Sequence, residues 1–167
     1  MKTSNLAALF CLLAAAVYGP AVAQDATFEI KLMTPETAMK VARTALESCR
    51  GKGYQVAVVV VDRMGVPQAM IRDRYAGAHT PDTAFRKAWT AVSFRTDTLA
   101  LAEVSGPGSA MSGARDITNA LMLGGGVPVE AGGSTLGGVG VSGAPSGDLD
   151  AECARAGIAA VSAELEF

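Results

Sequence analysis

The sequence predicts an α+β domain in which helices cover a mostly antiparallel sheet. Three kinds of signal indicate this: helix-start signatures, valine-rich runs with strand composition, and glycine-rich turns between the runs. Along the 167-residue chain they give a helix, a hairpin, two helices, about three strands and a last helix. Because hairpins join most of the strands, neighbouring strands are expected to run antiparallel.

The first helix is predicted to begin after Thr34, whose hydroxyl can cap it, with Pro35 at the first helical position. Gly51 and Gly53 are expected to end it. Its apolar residues recur at helical spacing and predict one buried face: Ala38, Val41, Ala42, Ala45, Leu46 and Cys49.

A hairpin and a second helix follow. Residues 55–62 contain a valine run typical of a buried strand, and residues 66–73 return beside it after a short turn. A second helix start lies at Thr80 and Pro81, and this helix is expected to run to about Phe94. A shorter helix comes after it.

The C-terminal half opens with a polar, glycine-rich loop over residues 105–114. Residues 117–123, 127–129 and 135–141 are candidate strands separated by glycines, and the last helix opens at Ser146. The buried stripe of that helix is predicted as Leu149, Cys153, Ala156, Gly157, Ala160, Val161 and Leu165.

Residues 1–23 have the pattern of a cleavable export signal. Lys2 carries the positive charge, residues 6–17 are uncharged and apolar, and residues 21–23 are small. The apolar run is shorter than the roughly 20 residues that a membrane-spanning helix needs. We therefore expect residues 24–167 to form a single domain that is periplasmic or secreted.

The charge balance argues against two classes of partner. The chain has a formal net charge of −2, and loss of Lys2 with the signal brings the remaining 144 residues to −3. A weakly acidic domain has no electrostatic attraction for nucleic acid or anionic membrane. No later segment is long and apolar enough to span a bilayer.

Cys49 and Cys153 are the cysteines left in the predicted mature chain. An oxidising compartment allows a disulfide between them. Two buried free thiols on helix faces are the reading that the pattern favours, because free cysteine behaves as a small apolar residue. The sequence leaves both alternatives open.

Residues 138–143 match the Gly-x-Gly-x-x-Gly dinucleotide-binding pattern, but their context does not suit that function. The pattern requires a following helix and then a second parallel strand, and too little chain remains for both. In a strand, Gly138 and Gly140 would face one side, which lets either a helix or a ligand approach the backbone closely.

The inventory of chemically active side chains is small. His79 is the one histidine, and there is no Cys-x-x-Cys pair, so neither a zinc site nor covalently attached haem is supported. Asp148 and Asp150 lie in the first turn of the last helix, where acids interact favourably with the helix dipole. Arg86 and Lys87 are expected to face solvent from the middle of their helix.

Several segments together resemble the GlcG/HbpS family. They are the hairpin at residues 60–67, the helix segment 84–91, the Gly-Gly-Val-Pro-Val run at 125–129, and residues 136–145 followed by 150–154. The resemblance extends from about residue 34 to 165. It implies a profilin-like sandwich with a five-stranded, mostly antiparallel sheet flanked by helices, and assembly as a homo-oligomer. It carries over no catalytic residues.

The functional implication of the resemblance is haem handling or redox sensing, because secreted members of this family bind haem. His79 is then the leading candidate for the iron ligand, and Tyr75 is the second. Arg72 or Arg74 would meet a haem propionate. Met111, in the polar loop, is a further candidate contact.

Gly138 and Gly140 would line the haem slot in this hypothesis. The alternative hypothesis is an oligomeric accessory module that binds a small carboxylate or another metabolite without haem. Weak haem-degrading activity is a third reading, although the sequence places no proton-transfer group for it.

Overall fold

The computed structural model describes residues 26–166, so the predicted export signal lies outside the described residues. The chain divides into two units, the first ending at Ile30 and the second beginning at Lys31. Residues 26–30 contain no helix or strand. The second unit contains helices α1 (Pro35–Gly51), α2 (Thr80–Phe94), α3 (Thr98–Val104) and α4 (Gly147–Ala159), strands β1 (Ala57–Asp62), β2 (Pro67–Arg72), β3 (Gly126–Ala131) and β4 (Ser134–Ser142), and 3-10 turns at Ser112–Asp116 and Ser162–Glu164.

The four strands form one sheet in the order β2-β1-β4-β3, and each neighbouring pair is antiparallel. This confirms the α+β class with an antiparallel sheet. The expectation of five strands is wrong for the described residues, which contain four. Among the described helices, none has both the length and the apolar character needed to cross a bilayer.

The missing strand is the segment 117–123, which forms turns. Asn119 has a φ of 69°, which breaks an extended run. Side chains of α2 form hydrogen bonds with backbone groups of this segment that would otherwise pair with a neighbouring strand. The Arg86 guanidinium donates to the Ala120 carbonyl, and Thr90 Oγ1 accepts from the backbone N–H of Leu121. Arg86 is thus half-buried, and its expected exposure to solvent is wrong.

Helices cover both faces of the sheet. Val58 and Val60 of β1 belong to a core cluster with α1 and α4, whereas Val59 and Val61 pack against α2 on the opposite face. A strand buried on both faces reads as a continuous apolar run, which explains the valines of β1.

The glycines of β4 allow α2 to lie directly on the sheet. A Cβ atom at Gly140 would overlap the carbonyl oxygen of Ala84, and one at Gly138 would come within 2.7 Å of the carbonyl oxygen of Ala88. Contacts this short are not possible for a real side chain. The helix therefore occupies the glycine face that the sequence had left to a helix or a ligand.

A disulfide joins α1 to α4 behind the sheet. Cys49 and Cys153 are bonded through their Sγ atoms, their Cα atoms are 5.5 Å apart, and both residues are fully buried. Gly157 lets the two helices approach, because a Cβ there would lie 2.6 Å from the carbonyl oxygen of Val41. Of the two alternatives left by the sequence, the structure contains the disulfide.

Candidate functional site

A pocket of about 660 Å³ opens where the ends of several elements meet. The loop after α1, the N-terminal half of α2, the C-terminal end of β4 and the start of α4 form its walls. This volume is within the range of small-molecule and cofactor sites, roughly 300–1,000 Å³. The lining comprises residues 53–55, Tyr75, Gly77, His79, Thr80, Thr83, Lys87, Leu123, residues 142–147 and Asp150.

Two of the sequence-predicted site residues line this pocket, His79 and Tyr75. Both are exposed, Tyr75 to 80%. His79 holds the N-cap position of α2, and its carbonyl oxygen accepts from both the N–H and the hydroxyl of Thr83. Its imidazole lies against Gly77, where a Cβ would come within 2.7 Å of His79 Cε1. Glycine at position 77 therefore leaves room for the ring.

The structure does not bring the other predicted site residues to this pocket. Arg72 and Arg74 are exposed and lie outside the lining, and the Arg72 guanidinium donates to the carbonyl of Ala76. Met111 is 39% exposed at the start of its 3-10 turn and also lies outside the lining. The two β4 glycines lie beneath α2.

A buried ion pair reaches the pocket wall, and the sequence did not predict it. Lys87 Nζ lies 2.7 Å from Asp150 Oδ2 and donates to the carbonyl oxygen of Val141 at 3.0 Å. Asp150 Oδ1 accepts from the backbone N–H of Ala144 at 2.9 Å. Lys87 is 1% and Asp150 3% exposed. The expectation that Lys87 faces solvent is therefore wrong.

Two glycines at the start of β3 explain why Lys87 is buried. A Cβ at Gly125 would lie 2.9 Å from Lys87 Nζ, and one at Gly126 would overlap the Lys87 carbonyl. With no side chains at these positions, the helix and the ammonium group can approach the sheet. The three consecutive glycines at 124–126 are a sequence signal for this approach, although such a run is equally typical of a turn.

Burial pushes the two partners toward their neutral forms. It lowers the pKa of Lys87, an effect that the charge of Asp150 partly offsets. It raises the pKa of Asp150, and Lys87 together with backbone N–H groups partly offsets that shift. Each charge is therefore tolerated at this buried position only because the other is present.

The neighbouring acid behaves differently. Asp148 is exposed, and a hydrogen bond with Ser146, followed by backbone N–H groups at the start of α4, lowers its pKa. This fits the predicted role at the helix N-terminus. Asp150 shares the first turn of α4, but its carboxylate is committed to Lys87 and Ala144.

Gln55 is a further pocket residue that sequence reasoning missed. It lines the pocket, and its buried Oε1 has no hydrogen-bond partner among the described residues. A buried acceptor without a partner is costly, so this oxygen is available to a ligand donor. No local sequence pattern distinguishes such a glutamine from a solvated one.

Solved structures of other proteins have a similar fold. A variant of HbpS from Streptomyces reticuli has a crystal structure with a TM-score of 0.78 and 40% identity, covering 87% of this chain and 98% of that one. The crystal structure of a PduOC:heme complex has a TM-score of 0.73 and 30% identity, covering 77% of this chain and 94% of that one.

Corrinoid adenosyltransferase PduO of Salmonella typhimurium is 32% identical over 124 residues, which are 73% of this chain and 37% of that protein. The chain thus spans little more than a third of that relative. The sequence profile of the family described as "Haem degrading protein HbpS-like" matches residues 33–159. Since this match covers well over half of the chain and agrees with the fold, the chain belongs to the HbpS-like family.

Proposed function

We propose that this protein binds haem non-covalently at the 660 Å³ pocket, with His79 as the axial ligand of the iron and Tyr75 as the second candidate. The observation that carries the proposal is the convergence of these two side chains on one pocket in a member of the HbpS-like family. The heme complex of the related PduOC protein supports the choice of ligand.

The residues present suit this group. Imidazole and tyrosinate are both established axial ligands of haem iron. Because the porphyrin supplies four nitrogens, the protein needs to provide one or two axial groups. No cluster of three or more potential metal ligands occurs in residues 26–166. Leu123, Ala144 and Pro145 add apolar surface to the pocket wall, against which a porphyrin can pack.

The disulfide supports a location for this protein outside the cytoplasm. Disulfides persist in oxidising compartments, so the Cys49–Cys153 bond supports export of the domain and haem handling or redox sensing outside the cytoplasm.

We extend the proposal to self-association. Met64, Val66 and Met70, on β2 and the turn before it, are all more than half exposed, and such apolar surface is typical of an interface.

A hemin titration tests the binding proposal. We expect a saturable change in the Soret band of the purified protein, with about one haem per chain. His79→Ala should weaken binding by about tenfold or more and alter the spectrum, since the iron loses its ligand. Tyr75→Phe tests the phenolate in the same way.

Met111→Leu is the matched control, because Met111 lies outside the pocket and the change keeps its size. It should leave the titration unchanged. The absence of a saturable Soret change in the folded wild-type protein would overturn the proposal. A spectrum of His79→Ala identical to that of the wild type would assign the iron ligand elsewhere.

A further inference from the structure

The proposed haem site assigns no role to the buried Lys87–Asp150 pair, although both residues line the same pocket. A buried ion pair is weak evidence for stability, because desolvation of the two charges cancels most of their attraction. This pair also lies at the wall of a pocket rather than within the closed core. A buried charged pair at a cleft is a candidate for chemistry.

Lys87 has a proton acceptor beside its amine and one N–H donor left for a ligand. Among the described residues, its ammonium group has two hydrogen-bond acceptors, Asp150 Oδ2 and the Val141 carbonyl, whereas an ammonium has three N–H donors. Asp150 lies at 2.7 Å, close enough to accept the proton that a nucleophilic amine must lose. Burial favours the free amine of Lys87, an effect that Asp150 only partly offsets, and desolvated lysines are known Schiff-base nucleophiles.

The pocket wall next to Lys87 indicates which carbonyl compounds would fit. Thr83 and Thr80 line the pocket from the same side of α2, at one turn and two turns before Lys87, respectively. Their hydroxyls donate to the carbonyls of Gly77 and His79, so their oxygen lone pairs remain available as acceptors. Ligand hydroxyl groups are natural donors to these oxygens and to Gln55 Oε1.

We propose that Lys87 is a nucleophile that forms an imine with short hydroxylated aldehydes entering this pocket. Lys87 transfers a proton to Asp150, and the free amine attacks the aldehyde carbon to form a C–N bond. The resulting alkoxide oxygen takes one of the two protons of the newly bonded nitrogen, which gives a neutral carbinolamine and leaves the proton on Asp150 in place. Asp150 then returns its proton to the departing hydroxyl, which leaves as water while the C=N bond forms. No oxidant, reductant or metal is required.

Reductive trapping tests the proposal on the unmodified protein. The purified chain is incubated with glycolaldehyde and cyanoborohydride, and the rate of adduct formation at each lysine is read by peptide mass mapping. We expect Lys87 to be labelled at least about tenfold faster than Lys40 and Lys52, since burial increases the fraction of free amine. Lys40 and Lys52 are internal controls, because both form surface pairs with glutamates.

Lys87→Arg keeps the positive charge beside Asp150 but removes the nucleophilic amine. The fast adduct should disappear in this variant, while labelling of Lys40 and Lys52 is unchanged. Equal or slower labelling of Lys87 in the folded wild-type protein would overturn the proposal, whether or not the variant folds. The hemin titration is independent of this outcome, so failure of either proposal is distinguishable from failure of the other.

Discussion

At the scale of single residues, the site depends on where side chains are absent as much as on where they are present. Gly125 and Gly126 let α2 and the Lys87 ammonium reach the sheet, and Gly77 leaves space for the imidazole of His79. An alanine at Gly125 would meet the Lys87 ammonium as well as the backbone of β4. The positions of Lys87 and His79 in the pocket are therefore determined by neighbouring glycines.

The Lys87–Asp150 pair gives a prediction about stability and pH. Lys87→Met should lower the free energy of unfolding by about 3–5 kcal/mol at neutral pH, because it leaves the Asp150 carboxylate buried without its partner. Urea unfolding measures this change. Lys52→Met is the matched control, since it breaks an exposed pair with Glu152 and should cost about 0–1 kcal/mol.

The penalty of Lys87→Met should shrink as the pH is lowered toward 4. Burial raises the pKa of Asp150 in the folded state above its ordinary value of 3.8. A carboxyl group whose pKa is higher in the folded state than in the unfolded state stabilises the fold when it is protonated. This contribution to the free energy of unfolding is complete below the unfolded pKa and is lost as the pH rises through the folded pKa. A penalty that stays constant from pH 4 to pH 8 would contradict this account.

At the scale of elements, the disulfide and the lost strand show how tertiary partners determine local structure. Residues 117–123 have strand-like composition, but Arg86 and Thr90 of α2 bind their backbone groups and leave a series of turns. The disulfide fixes α1 to α4, whose first turn forms part of the pocket wall.

Removal of the disulfide should lower the stability of the folded domain. Cys49→Ala with Cys153→Ala is expected to lower the free energy of unfolding by about 2–4 kcal/mol, because the bond closes a long loop in the unfolded chain. Thermal or urea unfolding with and without a reducing agent measures this. The reductant should destabilise the wild type but leave the double variant unchanged, and an equal effect on both would argue against the bond.

At the scale of the whole molecule, the sheet between two helical layers creates a pocket at one end, where α2 from one face meets the start of α4 from the other. Lys87 and Asp150 connect these layers around the end of β4. Neither layer alone would hold the pair. The pocket is thus a property of the complete sandwich.

Export is the prediction that concerns the full chain. When the gene is expressed in a bacterial host, the periplasmic or secreted protein should begin at Gln24, as N-terminal sequencing or intact mass would reveal. Leu12→Arg interrupts the apolar stretch and should retain an uncleaved chain in the cytoplasm. An exported wild-type protein that still begins at Met1 would disprove cleavage.

The sequence by itself determined the fold class, the bounds of most elements and two of the pocket residues. Helix starts, glycine stops and the valine run of β1 are local signals, and a chain of this length must bury such patterns in a common core. His79 and Tyr75 were identifiable because they are chemically distinctive residues close to a helix start.

Only the tertiary structure decided the number of strands, the partners of the cysteines and the burial of Lys87. Each depends on residues distant in sequence: Lys87 and Asp150 are 63 positions apart, and the cysteines are 104 apart. Helical periodicity predicts that a residue lies on a face, but it does not specify what covers that face. The glycines beneath α2 determine what covers this face, because they allow the helix to lie close to the sheet. Lys87 is thereby buried against the sheet and contacts Asp150 of the opposite helical layer.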